Sequence, residues 1–250
     1  MMSTADECAG WLNGTLDTWS DPAEPGVHNS RPGGFTSQDG QDKKLWQTIF
    51  SKLERRGTYL DVASNHYKRI SNTYFYDVCQ SWRGVCVEPN PIYWPDLRTK
   101  RTCELIPFCA SDNASREVEL DLAPFQWLGG MGGADHGSLM RYYYRNRNLS
   151  APVRSKWPMK RMKCVRLADE LARLSISRVD LMSLDVEGGE AAVLRGIDFS
   201  RVQIDHILCE SHCAEVLSPL GYRAMRLRTS ADTLWSCNAQ CATRLRDMQQ

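Results

Sequence analysis

Two acidic pairs in this 250-residue chain stand where apolar runs stop, which is where side chains do chemistry. The first pair is Asp185 and Glu187, closing the apolar run 179–184 and followed at once by Gly188 and Gly189. An apolar run ending in carboxylates and a glycine turn reads as a strand opening into a helix. Carboxylates buried there require a partner, whether a ligand, a substrate or a bound cation. The second pair is Asp61, near the end of TYLDV, and Glu88, after Val85, Cys86 and Val87. An acid ending a second strand suits a ribose, because a carboxylate accepts hydrogen bonds from both hydroxyls. Between the two acids, Ser71 is placed to cap a helix, and a helix start suits an anionic group. The pattern points to a nucleoside ligand carrying an anion; the plainer reading is a buried βαβ unit whose carboxylates only cap turns.

The elements that must position these residues are legible in the periodicity. Residues 58–91 read as strand, loop, helix and strand, with Tyr74, Phe75, Val78 and Cys79 at helical spacing. Parallel strands bring 61–65 and 88–90 to one sheet edge, where open α/β sheets bind ligands. A helix follows over 92–100, then a strand over 103–110 that ends at Ser111, Asp112 and Asn113. That cluster either meets the base of a nucleoside or is simply a turn. Further strands are expected at 116–122, 163–167, 179–184 and 203–209, the last ending at Glu210, Ser211 and His212. Helices are expected at 168–174, 190–194 and 214–220, and a hairpin joins 222–228 to 233–237. Before the first strand, Leu45, Trp46, Ile49, Phe50 and Leu53 form an apolar helical stripe within 41–55.

Composition sets the outer limits. A net charge of +1 gives no general attraction to nucleic acid, and a mean hydropathy of −0.46 accompanies no run long enough for a membrane span. Residues 1–40, rich in Gly, Pro, Ser and Asp, read as a poorly ordered leader whose Trp11, Trp19 and Phe35 can pack on the body. Residues 123–160, with four glycines around Met131 and the run MRYYYRNRN, read as a substrate loop or lid. His136 is the one histidine there, and 242–250 is a tail. Ten cysteines include the close pairs 103/109, 209/213 and 237/241, with no zinc-type spacing, so no metal is expected. Several lie in strands, where Cys also serves as a small apolar residue. Asn13, Asn113 and Asn148 each begin a glycosylation sequon. The polar start, lacking an apolar leader, fits the cytoplasm; the cysteines and sequons fit an oxidising lumen.

The segments DVASN (61–65), SNTY (71–74), WRGVCVEPNP (82–91), LDVEGGE (184–190) and VLRG (193–196) together resemble the FkbM-type methyltransferases. The resemblance covers about residues 41–237, within a domain of 41–241. It implies a Rossmann-like α/β fold: a mainly parallel sheet with helices on both faces and a C-terminal antiparallel hairpin. It implies S-adenosylmethionine (SAM) as cofactor and O-methylation of a sugar, glycoconjugate or natural product; the charge balance already argues against a nucleic-acid partner. Position by position, Asp61, Ala63, Ser64 and Asn65 would lie beside the methionine part of SAM. Ser71, Asn72 and Thr73 would offer N–H groups to its carboxylate, Glu88 with Pro89 and Asn90 would hold the ribose, and Ser111 and Asp112 would lie near the adenine. Asp185 and Glu187 would line the methyl-transfer pocket. The family's first motif has glycine where this chain has Ala63 and Tyr67, and a wider loop over 66–70 with a helix starting near Ser71 is the expected accommodation.

A hydroxyl acceptor needs a base, and the candidates are Asp185 first, then Glu187, Glu210 and His136. Two other functions stay open. A non-catalytic binding protein on the same fold would follow from the altered first motif. A nicotinamide-dependent oxidoreductase would share the βαβ unit and Glu88 but not LDVEGGE.

Overall fold

The computed structural model describes residues 4–16, 35–121, 159–186, 188–227, 232–239, 241 and 243. Alternation of side chains builds its central sheet. The strands β1 (Thr58–Val62), β2 (Arg83–Val87), β3 (Glu104–Ile106), β7 (Arg178–Leu184) and β8 (Gln203–Cys209) are parallel where they pair. A short strand β4 (Cys109–Ala110) follows β3, and β5 (Glu117–Asp121) and β6 (Met159–Val165) lie between β4 and β7 in the chain. With β9 (Arg223–Arg226) and β10 (Thr233–Ser236), the large sheet has the order β3-β2-β1-β7-β8-β10-β9. β10 runs antiparallel to both β8 and β9, so the expected hairpin is present with its returning strand inserted between them. The Rossmann-like α/β architecture expected from the sequence is therefore the one observed.

Because successive strand residues face opposite sides, each strand feeds two cores. On one face, Leu60, Val85, Val87, Met182, Leu184 and Ile207 pack with the helices α4 (Leu167–Arg173), α5 (Glu190–Arg195) and α6 (Ala214–Leu217). On the other, Tyr59, Cys86, Leu181 and Leu208 pack with α1 (Thr4–Asn13), α2 (Gln41–Thr48) and α3 (Trp94–Lys100). Among the described residues no helix is long and apolar enough to cross a membrane.

Some expectations change in detail. The helix read over 72–82 is a five-residue π-helical turn, Phe75–Cys79, whose side chains Phe75 and Tyr76 are wholly buried. The strand read over 103–110 breaks at Pro107 into β3 and β4, because proline cannot donate to a ladder. β4 then joins a second, three-stranded sheet, β4-β6-β5, in which β5 and β6 form an antiparallel ribbon. Within the segment read as a leader, residues 4–13 form α1, and Trp11 and Phe35 are buried against Tyr74 and Phe75.

The cysteines are not merely small apolar residues. All ten are paired: Cys8–Cys79, Cys86–Cys103, Cys109–Cys164, Cys209–Cys213 and Cys237–Cys241. The close pair 103/109 is not bonded to itself; each member reaches a residue brought near by strand pairing instead.

Candidate active site

Strand register decides which side chains meet. Val62 lies level with Val87 on β2 and with Leu184 on β7, and Leu184 lies level with Cys209 on β8. One residue further along each strand, Glu88, Ala63, Asp185 and Glu210 therefore stand in a row across four adjacent strands. At about 4.8 Å per strand the row spans roughly 14 Å, the length of a nucleoside with a substituent. The row crosses the point between β1 and β7 where the strand order reverses, the usual ligand crevice of such sheets.

Glu88 is buried, and its two oxygens accept the backbone N–H groups of Asn65 (2.7 Å) and Asn90 (2.7 Å). Burial raises its pKa to about 7, against the pull of those two N–H donors. The indole Nε1 of Trp94 donates to its backbone carbonyl at 2.8 Å, fixing α3 against the strand end. Pro89 is half-buried, and the buried Asn90 turns the chain by accepting the Ile92 N–H at 3.1 Å.

The loop after β1 keeps a glycine-like shape without glycine. Ala63 and Asn65 adopt φ of 65° and 54°, and the Ala63 and Ser64 N–H groups both donate to the Val87 carbonyl (2.9 and 3.2 Å). The Ser64 hydroxyl closes the turn on the Asp61 carbonyl at 2.8 Å. Tyr67, at the other glycine position, packs its ring on His66 and Tyr74 with Lys100 above it.

Asp61 is buried and accepts the Thr73 hydroxyl, and burial raises its pKa. The wholly buried Arg101 donates to Thr73 Oγ1 (2.8 Å), the Tyr59 hydroxyl (3.0 Å) and Asp77. It also donates to the Tyr67 carbonyl at 3.0 Å, so one guanidinium ties the loop to the sheet. Nothing in the sequence marks Arg101, one of several basic residues in a polar run.

The expected donor role of residues 71–73 changes. The Ser71 N–H donates to the Lys68 carbonyl, and the Thr73 and Tyr74 N–H groups donate to Ser71 Oγ (3.2 and 3.0 Å). These donors are engaged within the loop. Asn72 differs: its Nδ2 donates to Ser183 Oγ at 3.1 Å, while its buried Oδ1 has no hydrogen-bond partner among the described residues. A buried acceptor without a partner is costly and suits an incoming N–H donor. Ser183 precedes Asp185 by two residues on the same side of β7, another contact that the sequence does not signal.

At the far end of the row, Asp185 and Glu210 hydrogen-bond to each other. Two carboxyl groups in contact disfavour being ionised together. Partial burial raises the Glu210 pKa, the contact with Asp185 lowers it, and Asp232 and Glu190 raise it again. Glu190 is fully buried, accepting the Gly188 N–H (3.1 Å) and the Ser211 hydroxyl (3.2 Å). The Cys209–Cys213 disulfide closes the short loop that carries Glu210. Ser111, buried, donates its N–H to the Val165 carbonyl, and the exposed Asp112 meets Ser111 Oγ (3.1 Å) and Arg195. Glu187, His136 and residues 123–158 of the expected lid lie outside the described residues, and residues 159–160 begin β6 instead.

Comparison with known proteins places the chain in a family. No curated protein matches the chain. A crystal structure of precorrin-6y C5,15-methyltransferase from Geobacter metallireducens GS-15 is similar at 14% identity, over 79% of this chain and 86% of that one, with a TM-score of 0.34. Residues 61–217 match the methyltransferase FkbM domain, a span that runs from the end of β1 through α6 and contains the whole acidic row. The chain accordingly belongs to the FkbM methyltransferase domain family.

Proposed function

We propose that the chain transfers a methyl group from SAM to a hydroxyl of a small molecule or glycan. The observation that carries the reading is the row itself, with a ribose-type acid, Glu88, at one end and a carboxyl pair, Asp185 and Glu210, at the other. The residues fit the cofactor. Glu88 keeps free lone pairs for ribose hydroxyls after accepting two N–H groups. The partnerless Asn72 Oδ1 matches an ammonium group, and the loop at 63–65 keeps its left-handed turns despite Ala63. Ser111 and Asp112 are the residues proposed to meet the base.

When bound, SAM supplies a methyl group already activated by its sulfonium, so the chain's contribution is position, exclusion of water and a proton acceptor. Asp185 takes the acceptor's hydroxyl proton. Glu210, in contact with it, tunes how basic Asp185 is and offers a second carboxylate to receive the proton.

Titration calorimetry of the chain with SAM tests the reading, with Glu88→Ala and NADH as comparisons. Micromolar SAM binding that weakens at least tenfold in Glu88→Ala is expected. Tight NADH binding, or folded protein that ignores SAM, would sink it.

A further inference from the structure

We propose that the side-chain amides of Asn13 and Asn113 are N-glycan acceptors, on a chain that folds in an oxidising, glycosylating compartment. Two independent observations meet here. The first is the complete pairing of ten cysteines, with Cα–Cα separations of 4.3 to 6.6 Å, at or within the range a disulfide usually spans. Three of the pairs join distant segments, at separations of 71, 17 and 55 residues, and tie α1, β2, β4 and β6 into the body. Such bonds persist outside the reducing cytosol and are rare within it. Forming each one releases two electrons and two protons, taken up by thiol–disulfide exchange by an oxidised disulfide of another protein in that compartment.

The second observation is local. Asn13-Gly14-Thr15 and Asn113-Ala114-Ser115 both have the acceptor pattern without proline, and all six residues are exposed. Asn13 Oδ1 accepts the Thr15 N–H at 3.0 Å and the Thr15 hydroxyl at 2.7 Å, with Gly14 at a φ of 76° making the turn. Asn113 Oδ1 accepts the Ser115 N–H at 2.9 Å. In both, the amide oxygen is engaged by the residue two positions on, which polarises the amide. Neither Asn side-chain nitrogen is buried in the protein. Transfer from a polyprenyl-diphosphate-linked oligosaccharide breaks the sugar C1–O bond and forms a C1–Nδ2 bond. One amide proton is lost, and the lipid diphosphate leaves. Asn148 begins a third sequon but lies outside the described residues, and the proposal does not include it.

The test is expression of the full chain through a eukaryotic secretory pathway, followed by amidase release of glycans in heavy-oxygen water and peptide mass spectrometry. Heavy-oxygen Asp is expected at positions 13 and 113, with no thiol open to alkylation before reduction. Asn13→Gln and Asn113→Gln should each remove one glycan. Thr15→Val and Ser115→Ala, which keep the asparagine, should remove the same ones. Unmodified asparagine at either position in folded, secreted chain overturns that site. A soluble, SAM-binding or cooperatively unfolding chain made in a reducing cytosol with free thiols overturns the compartment. None of these readouts requires methyl transfer, so the outcome is separate from the catalytic reading.

Discussion

Glu88 is the residue whose chemistry is most exposed to measurement. Its pKa is raised, chiefly by burial, from 4.5 to about 7, so the folded chain holds a proton that the unfolded chain has lost over that window. Stability of the ligand-free protein contributed by this group therefore falls as pH rises from 4.5 to about 7, by about 3 kcal/mol in all. Ribose hydroxyls donate best to the ionised carboxylate, so SAM affinity is expected to rise over the same window. Denaturant melts and calorimetry at several pH values check both slopes, and Glu88→Gln should flatten the two together. At the other end of the row, Asp185→Asn is expected to lower turnover by about 10²–10⁴-fold with SAM affinity nearly unchanged. Equal losses in turnover and SAM affinity would move Asp185 from base to binding residue. Ala63 holds a φ of 65°, which costs an L-residue about 1–2 kcal/mol. Ala63→Gly should raise stability by about 0.5 kcal/mol, part of the relief being offset by glycine's freedom in the unfolded chain, and thermal unfolding reads this directly.

At the scale of elements, the loop between β1 and the π-helical turn is held from outside the βαβ unit. Arg101, beyond α3, fastens it from below through Tyr67, Thr73 and Asp77. From the other side, Thr36 Oγ1 donates to the Ser71 carbonyl at 2.8 Å, Ser37 bridges to Ile70, and Asp42 caps the N–H groups of Phe35, Thr36 and Ser37. Removing the cation would leave Asp77 buried without its charge partner. Arg101→Met is accordingly expected to cost about 3–5 kcal/mol, measured by denaturant unfolding. Asp77→Asn combined with Arg101→Met should recover part of that loss, because Asp77 no longer carries an unpaired buried charge, and the remainder falls on Asp61, which also faces Arg101. Gly196 plays a similar part for the Ser111 turn, since an added Cβ would lie 2.3 Å from the Ser111 carbonyl oxygen.

Over the whole molecule, α1 is bound to the body by a disulfide, an ion pair and an aromatic cluster. Cys8 joins Cys79, Glu7 meets the buried Lys68 at 2.5 Å, and Lys68 lies over the rings of Trp11 and Tyr74. A bond closing 71 residues restrains the unfolded chain by about 4 kcal/mol, against about 2 kcal/mol for the four-residue closure at 209–213. The double substitution Cys8→Ser with Cys79→Ser should therefore lower the unfolding midpoint more than Cys209→Ser with Cys213→Ser. The second pair should instead affect turnover more, because it carries Glu210. If the two pairs showed the same ratio of stability loss to activity loss, the Cys209–Cys213 closure would have no particular role at the site.

What the sequence determined by itself was everything that follows from local period and strand ends. Apolar alternation marked β1, β2, β7 and β8, and polar residues at their ends marked Asp61, Glu88, Asp185 and Glu210, because a parallel sheet gathers its strand ends along one edge. The helix over 72–82 was misread in length, because buried Phe75 and Tyr76 pack around a turn only five residues long. Neighbour relations were decided only by tertiary structure. Register alone places Asp185 against Glu210, topology alone brings Cys109 to Cys164 and Cys86 to Cys103, and Arg101 and Ser183 acquire their roles solely from what folds against them. Period records which way a side chain faces along its own element. It holds no record of the residue waiting there from another part of the chain, and at this site those residues set the charge, the protons and the shape.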